Sequence, residues 1–236
     1  MQKFLSSVLL SLLFMSCTSQ QNLIEGEKSI VLKEELRYYL SFPEKYFEKP
    51  NKAFGLLLFL HGGGDAGKAL NELKENGPPK MMEEGYPFPF LVLAPQNPYK
   101  KKWWDVRAVN QLLDSIVKNN RVDKQRIYLT GMSRGGNAAW EMAVQYPDKF
   151  AALAVVCGMA PTPYAHWLNK KTPIWVFHGV EDEVIPVSES DAMVNKLRGL
   201  GFDITYDRYE GVGHNSWEKA YANDELYLWL AKQKKD

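Results

Sequence analysis

Apolar residues in this chain gather into short continuous runs. Residues 55–60, 90–94, 150–156 and 173–178 are such runs, each followed within two positions by glycine or proline. A fifth, 126–130, leads directly into a glycine-rich stretch. Unbroken runs of this length read as strands buried on both faces of a parallel sheet. Residues 29–32 and 36–42 read as two earlier strands, with Tyr38, Tyr39 and Phe42 supplying β-propensity and Pro43 closing the second. Residues 203–209 form the last strand. Between these runs the spacing changes to that of helices. Val109, Leu112, Leu113, Ile116 and Val117 recur at helical intervals over 106–119. Residues 68–75, 137–144 (stopped by Pro147), 188–200 and 216–232 read as further helices. Pro78, Pro79, Pro87 and Pro89 mark a loop between helix and strand.

Buried strands alternating with helices predict an α/β domain over 29–236, with a mostly parallel central sheet and helices on both faces. No internal repeat divides it. Fewer than twenty residues separate the strand ending near Val156 from the one starting at Ile174. That leaves no room for a large helical cap, so an open site is expected.

Composition changes this picture little. The 236 residues are 45% hydrophobic and 24% charged with a net charge of +1, ordinary values for a globular protein. No nucleic-acid partner is implied, since that role needs a clustered basic surface. The dense basic runs are Lys100-Lys101-Lys102 and the tail over 232–235. The amino terminus adds something. Lys3 precedes an apolar run over 4–15, too short to span a bilayer, and Ser16 and Cys17 follow. Residues 1–17 therefore read as an export signal. The small residue before Cys17 resembles a bacterial lipobox, which implies lipidation of Cys17 and a polar tether over 18–28, and hence an exported or membrane-anchored protein. A plain secretory signal is the alternative. The only other cysteine, Cys157, lies in an apolar run and reads as a buried thiol, so no disulfide is expected. No Cys/His cluster has metal-ligand spacing.

The candidate chemistry begins at Gly131-Met132-Ser133-Arg134-Gly135-Gly136, set between a strand and a helix. A Gly-x-Ser-x-Gly turn in that context lifts a serine hydroxyl to the tip of a sharp bend. Serine becomes a nucleophile only when an imidazole takes its proton and a carboxylate orients that imidazole. Of the four histidines, His61 and His178 end strands directly before glycines, and His166 lies in a short connection. Only His214 follows the last strand, flanked by Gly213 and Asn215 in a loop able to reach Ser133. Asp182, three residues past Gly179, is the favoured carboxylate, with Glu181 in reserve. The backbone N–H groups of Arg134 and of Gly63, in the glycine loop after the first buried strand, are the candidate oxyanion donors. Trp103, Trp104 and Trp217 are candidate substrate-binding rings, ordinary packing being the alternative for each.

Four pieces occur in a set order: Leu60-His61-Gly62-Gly63-Gly64-Asp65, the elbow at Ser133, His178-Gly179-Val180-Glu181-Asp182, and Gly213-His214-Asn215-Ser216-Trp217. In these the chain resembles the α/β-hydrolase group of phospholipase/carboxylesterase-like, feruloyl-esterase-like and polyhydroxybutyrate-depolymerase-like proteins. It is similar above all to the exported "predicted peptidase" proteins filed with the prolyl oligopeptidase family. The resemblance covers residues 29–236. It implies the α/β-hydrolase fold and hydrolysis of small-molecule or polysaccharide-linked esters through an acyl-serine, without metal or cofactor. A serine peptidase with the same triad and a non-catalytic surface binding protein are the competing readings. Arg134 departs from the pattern, since relatives often carry an uncharged residue there, and this bears on substrate preference.

Overall fold

The computed structural model describes residues 34–235. The export signal, Cys17, the tether and the strand expected at 29–32 lie outside the described residues. Among them, seven strands form one sheet: β1 (Tyr38–Ser41), β2 (Phe54–Leu60), β3 (Leu91–Pro95), β4 (Val122–Met132), β5 (Ala152–Val156), β6 (Ile174–Gly179) and β7 (Ile204–Tyr209). Their spatial order is β1-β3-β2-β4-β5-β6-β7. Only β1 runs antiparallel to its neighbour, and every other pairing is parallel.

The period of two along each strand explains why both faces are apolar. Leu56, Leu58 and Leu60 of β2 join Ile127 and Leu129 of β4 on one side of the sheet. Leu57 and Phe59 join Tyr128 and Met132 on the other. All five of these β2 side chains are essentially inaccessible, and each contributes about 1.5–3 kcal/mol by leaving water. The first face is covered by α2 (Val106–Asn119), α3 (Arg134–Gln145) and α4 (Val187–Gly199). The second is covered by α1 (Gly77–Glu83), α5 (Trp217–Tyr221) and α6 (Asp224–Lys232). Helix α2 starts where Asp105 stops: its carboxylate accepts from the N–H groups of Arg107 and Ala108 at 3.0 and 3.2 Å.

The helix expected over 68–75 is a 3-10 helix, Leu70–Glu75. Two expectations are corrected. Pro78 and Pro79, expected in a loop, open helix α1. Proline is tolerated in a first turn because the N–H it lacks has no partner there. The last helix is two helices, because Asn223 has extended backbone and its side chain accepts from Glu225 N–H, starting α6 afresh. The connection between β5 and β6 carries one short 3-10 turn, Thr162–His166, and no cap, as expected from its length.

Candidate active site

Strand β4 ends in Gly131-Met132, and α3 begins at Arg134, so the chain reverses direction at Ser133. The reversal is tight enough to exclude side chains on either side. A Cβ on Gly131 would stand 2.2 Å from the carbonyl oxygen of Gly135, and one on Gly135 would stand 2.0 Å from that of Leu60. Ser133 itself is held at φ 52°, ψ −122°. Such a conformation costs a non-glycine residue about 1–3 kcal/mol and persists only when its surroundings impose it. Two hydrogen bonds do so. Ser133 N–H donates to Val156 O at 2.9 Å, and Asn137 N–H donates to Ser133 O at 3.0 Å.

The strained turn aims the hydroxyl at His214. Ser133 Oγ lies 2.8 Å from His214 Nε2, and His214 Nδ1 lies 2.7 Å from Asp182 Oδ2. The three residues come from the elbow, the loop after β6 and the loop after β7, and parallel strands carry all three to one end of the sheet. Asp182 is buried, and burial alone would push its carboxyl up. The hydrogen bond from His214, those from Ile185 and Val184, and the charge on His214 outweigh it and hold the group below the usual carboxylate value. The two backbone N–H groups donate to Oδ1, each at 2.9 Å. With Asp182 ionised, Nδ1 carries the proton it donates, which leaves Nε2 free to accept from Ser133.

His178, read from sequence as shaping a loop, proves to touch the same carboxylate. Its Nε2 lies 3.2 Å from Asp182 Oδ2 and 2.9 Å from Ile185 O. Both are acceptors, so Nε2 carries the proton and donates to each. Nδ1 lies 2.7 Å from Ser190 Oγ in α4. In sequence the only trace is a histidine four residues before an aspartate across a glycine turn, a spacing that a solvent-facing histidine shares. His61 does shape a loop. Asn97 N–H donates to its Nε2 at 2.9 Å, so the proton sits on Nδ1, which donates to Gly62 O at 2.7 Å. Burial lowers its pKa to about 4, the adjacent Gly62 carbonyl opposes this, and the charge of Arg134 lowers it further.

The candidate tryptophans separate. Trp104 is buried, its ring 4.7 Å from that of His61 and its indole N–H donating to His61 O at 3.3 Å. It buttresses the glycine loop from beneath and offers no open face. Trp217 stands edge-on to His214 at 5.4 Å and donates to Asn76 Oδ1 at 3.2 Å. Trp103 is 63% exposed and lies 5.7 Å from the guanidinium of Arg134. The N–H of Arg134, first residue of α3, has no acceptor within its own helix. Gly63 lies against the same residue's side chain. Glu181 stays exposed beside the buried Asp182.

Cys157 sits behind the triad, buried at φ 40°, with its thiol pushed up to about 12 chiefly by burial. Among the described residues it forms, with Asp182 and His214, the one group of potential metal ligands, within 4.8 Å of one another. A protonated thiol and a histidine with both nitrogens engaged suit a hydrogen-bonded triad better than a metal ion.

Comparison with known proteins gives the family and the fold. The family model described as phospholipase/carboxylesterase matches residues 93–227. Acyl-protein thioesterase 1 of Gibberella zeae is 24% identical over 213 residues, covering 75% of this chain and 89% of its own. A probable acetylxylan esterase A of Aspergillus clavatus is 25% identical over 224 residues, covering 84% and 70%. The solved structure of a thermostable esterase superposes with a TM-score of 0.74 at 30% identity, covering 85% of this chain and 60% of that one. The chain therefore spans little more than half the length of that esterase. The matched segment runs from β3 to α6 and includes the elbow and both loops that meet it, and the chain belongs to the phospholipase/carboxylesterase family of α/β-hydrolases.

Proposed function

We propose that this protein cleaves carboxylic esters through an acyl-enzyme on Ser133, with His214 as base and then acid and Asp182 orienting it. The observation that carries the reading is the unbroken hydrogen-bonded line from Ser133 Oγ through the imidazole to Asp182. As Ser133 Oγ attacks the ester carbon, its proton passes to His214 Nε2, and the carbonyl oxygen becomes an anion facing the N–H groups of Arg134 and Gly63. The tetrahedral centre collapses, the carbon–oxygen bond to the alcohol breaks, and His214 returns the proton to the departing oxygen. Water then repeats the sequence against the acyl-serine and releases the acid. Asp182 remains ionised throughout and stabilises the imidazolium. Its depressed pKa fits that role.

The uncapped end of the sheet supports a bulky or polymer-linked alcohol, and the likeness to an acetylxylan esterase makes acylated carbohydrate the first substrate class to try. A rate panel tests the reading with 4-nitrophenyl acetate and butyrate, methyl ferulate, acetylated polysaccharide and a prolyl nitroanilide. Ester turnover should dominate. Ser133→Ala should lower it on the order of 10⁴-fold, as for members of a triad that act as a unit. Turnover that survives the substitution would remove Ser133 from the mechanism, and dominance of the nitroanilide would make the protein a peptidase.

A further inference from the structure

The net charge is only +1, yet a run of cations borders the Ser133 site, beside a cleft where Lys102 and Trp103 are joined by Glu34, Asp105 and Glu141. Lys100, Lys101 and Lys102 are consecutive and exposed on the loop before α2. That loop is fastened to Arg134, whose Nη1 donates to Lys100 O at 3.0 Å and to Lys102 O at 3.5 Å. The guanidinium lies flat on the glycine loop, so that a Cβ on Gly63 would come within 2.9 Å of Cζ and Nη2 and 3.0 Å of Nε. Position 63 has to be glycine for the cation to rest there.

Nε and Nη2, the two-nitrogen edge of the fork, donate to no acceptor among the described residues. Nor does any carboxylate among them pair with Arg134 or with the three lysines. The nearest acid on the loop, Asp105, is occupied in capping α2 and lies 3.6 Å from Arg107. The charge of Arg134 reaches His61, where it adds to the effect of burial. A cation held rigid beside a nucleophile, with its two-nitrogen edge unfilled, matches a carboxylate in shape and charge. The exposed face of Trp103 beside it suits the apolar side of a sugar ring. Neighbouring lysines raise the local concentration of an anionic polymer.

We propose that the Ser133 site selects esters carried on acidic carbohydrate, with Arg134 binding a uronate carboxylate next to the scissile ester and Trp103 stacking on the sugar. This rests on the reading of Ser133 as nucleophile and adds the chemical class of the substrate.

The test compares acetylated polygalacturonate with acetylated mannan of equal acetyl content, taking the ratio of their kcat/KM values. Wild-type protein should favour the polyuronate by about tenfold, the worth of one good charge-assisted contact. Raising NaCl from about 20 to about 300 mM should shrink the ratio by screening the rim. Arg134→Gln should bring it close to one, Arg134→Lys should leave it intermediate because charge remains without the fork, and Trp103→Ala should weaken the polyuronate arm. Equal rates on the two polymers in wild type, or a preference untouched by salt and by Arg134→Gln, would overturn the proposal. Faster hydrolysis of anionic phospholipid vesicles than of either polymer would overturn the carbohydrate assignment. The salt arm uses unaltered protein, so a folding defect in a variant leaves the test intact. Each preparation is also treated with a fluorophosphonate: labelled protein without the ratio rejects only the acidic carbohydrate, whereas unlabelled folded protein rejects Ser133 itself.

Discussion

At the scale of single residues, the candidate site depends on how firmly Asp182 is held. Its Oδ1 takes two backbone N–H groups, and its Oδ2 is shared between His214 and His178. A second donor on Oδ2 draws charge from the oxygen that steadies His214, so its removal makes the carboxylate a stronger partner for the imidazolium. His178→Phe should for that reason move the acidic limb of the pH profile upward, and should lower kcat about tenfold with little change in KM because Oδ2 loses the contact that fixes its direction towards His214. His178→Gln, which keeps a donor, should restore most of both. Folded His178→Phe protein with wild-type kcat and an unmoved limb would reduce His178 to packing. Groups that face His214 from other elements are Cys157 and Trp217, and neither is altered in these variants. His61 makes a different prediction. Its pKa in the fold is about 4, against roughly 6.5 for a free imidazole. The unfolded chain takes up a proton in that interval that the fold refuses, so stability falls as pH drops through the window. The full loss, complete below about pH 4, is about 3 kcal/mol. Urea unfolding at pH 7 and pH 5 should show the slope in wild type and a smaller one in His61→Gln, and equal slopes would contradict it. Ser133, Asp182 and His214 were legible because a turn motif and a chain order name them. The contact from His178 was not, because a histidine before a glycine turn has the same local sequence whether it faces solvent or a carboxylate.

At the scale of elements, continuous apolar runs identified strands well, since burial on both faces leaves no polar position to blur the pattern. Helix boundaries were harder. Pro78 and Pro79 were misplaced in a loop because proline signals a break in mid-helix but an opening in a first turn, and sequence alone does not say which turn it occupies. The break at Asn223 was hidden because both halves continue the same apolar face: Ala220 and Tyr221 in α5, Leu226, Tyr227 and Leu230 in α6. What divides them is one hydrogen bond from Glu225 N–H to the Asn223 side chain at 3.0 Å. Asn223→Ala should cost about 1 kcal/mol, the usual worth of such a cap, seen as a shift in the urea midpoint with an unchanged m value. No shift would mean that packing alone starts α6.

At the scale of the whole molecule, a mostly parallel sheet carries three separate loops to one end and leaves that end uncapped. The layered order was legible from the alternation of runs and helices, and the open end from one short connection. Trp104 was not placed by sequence: nothing local distinguishes a ring that floors the glycine loop from the exposed Trp103 one position earlier. All of this has function only if the strained serine is the nucleophile. The most direct measurement is the mass of the folded protein after reaction with a fluorophosphonate, followed by peptide mapping. A single adduct on Ser133 is expected, absent from Ser133→Ala and slowed in His214→Ala. An adduct at another residue, or none on protein that hydrolyses esters, would contradict it.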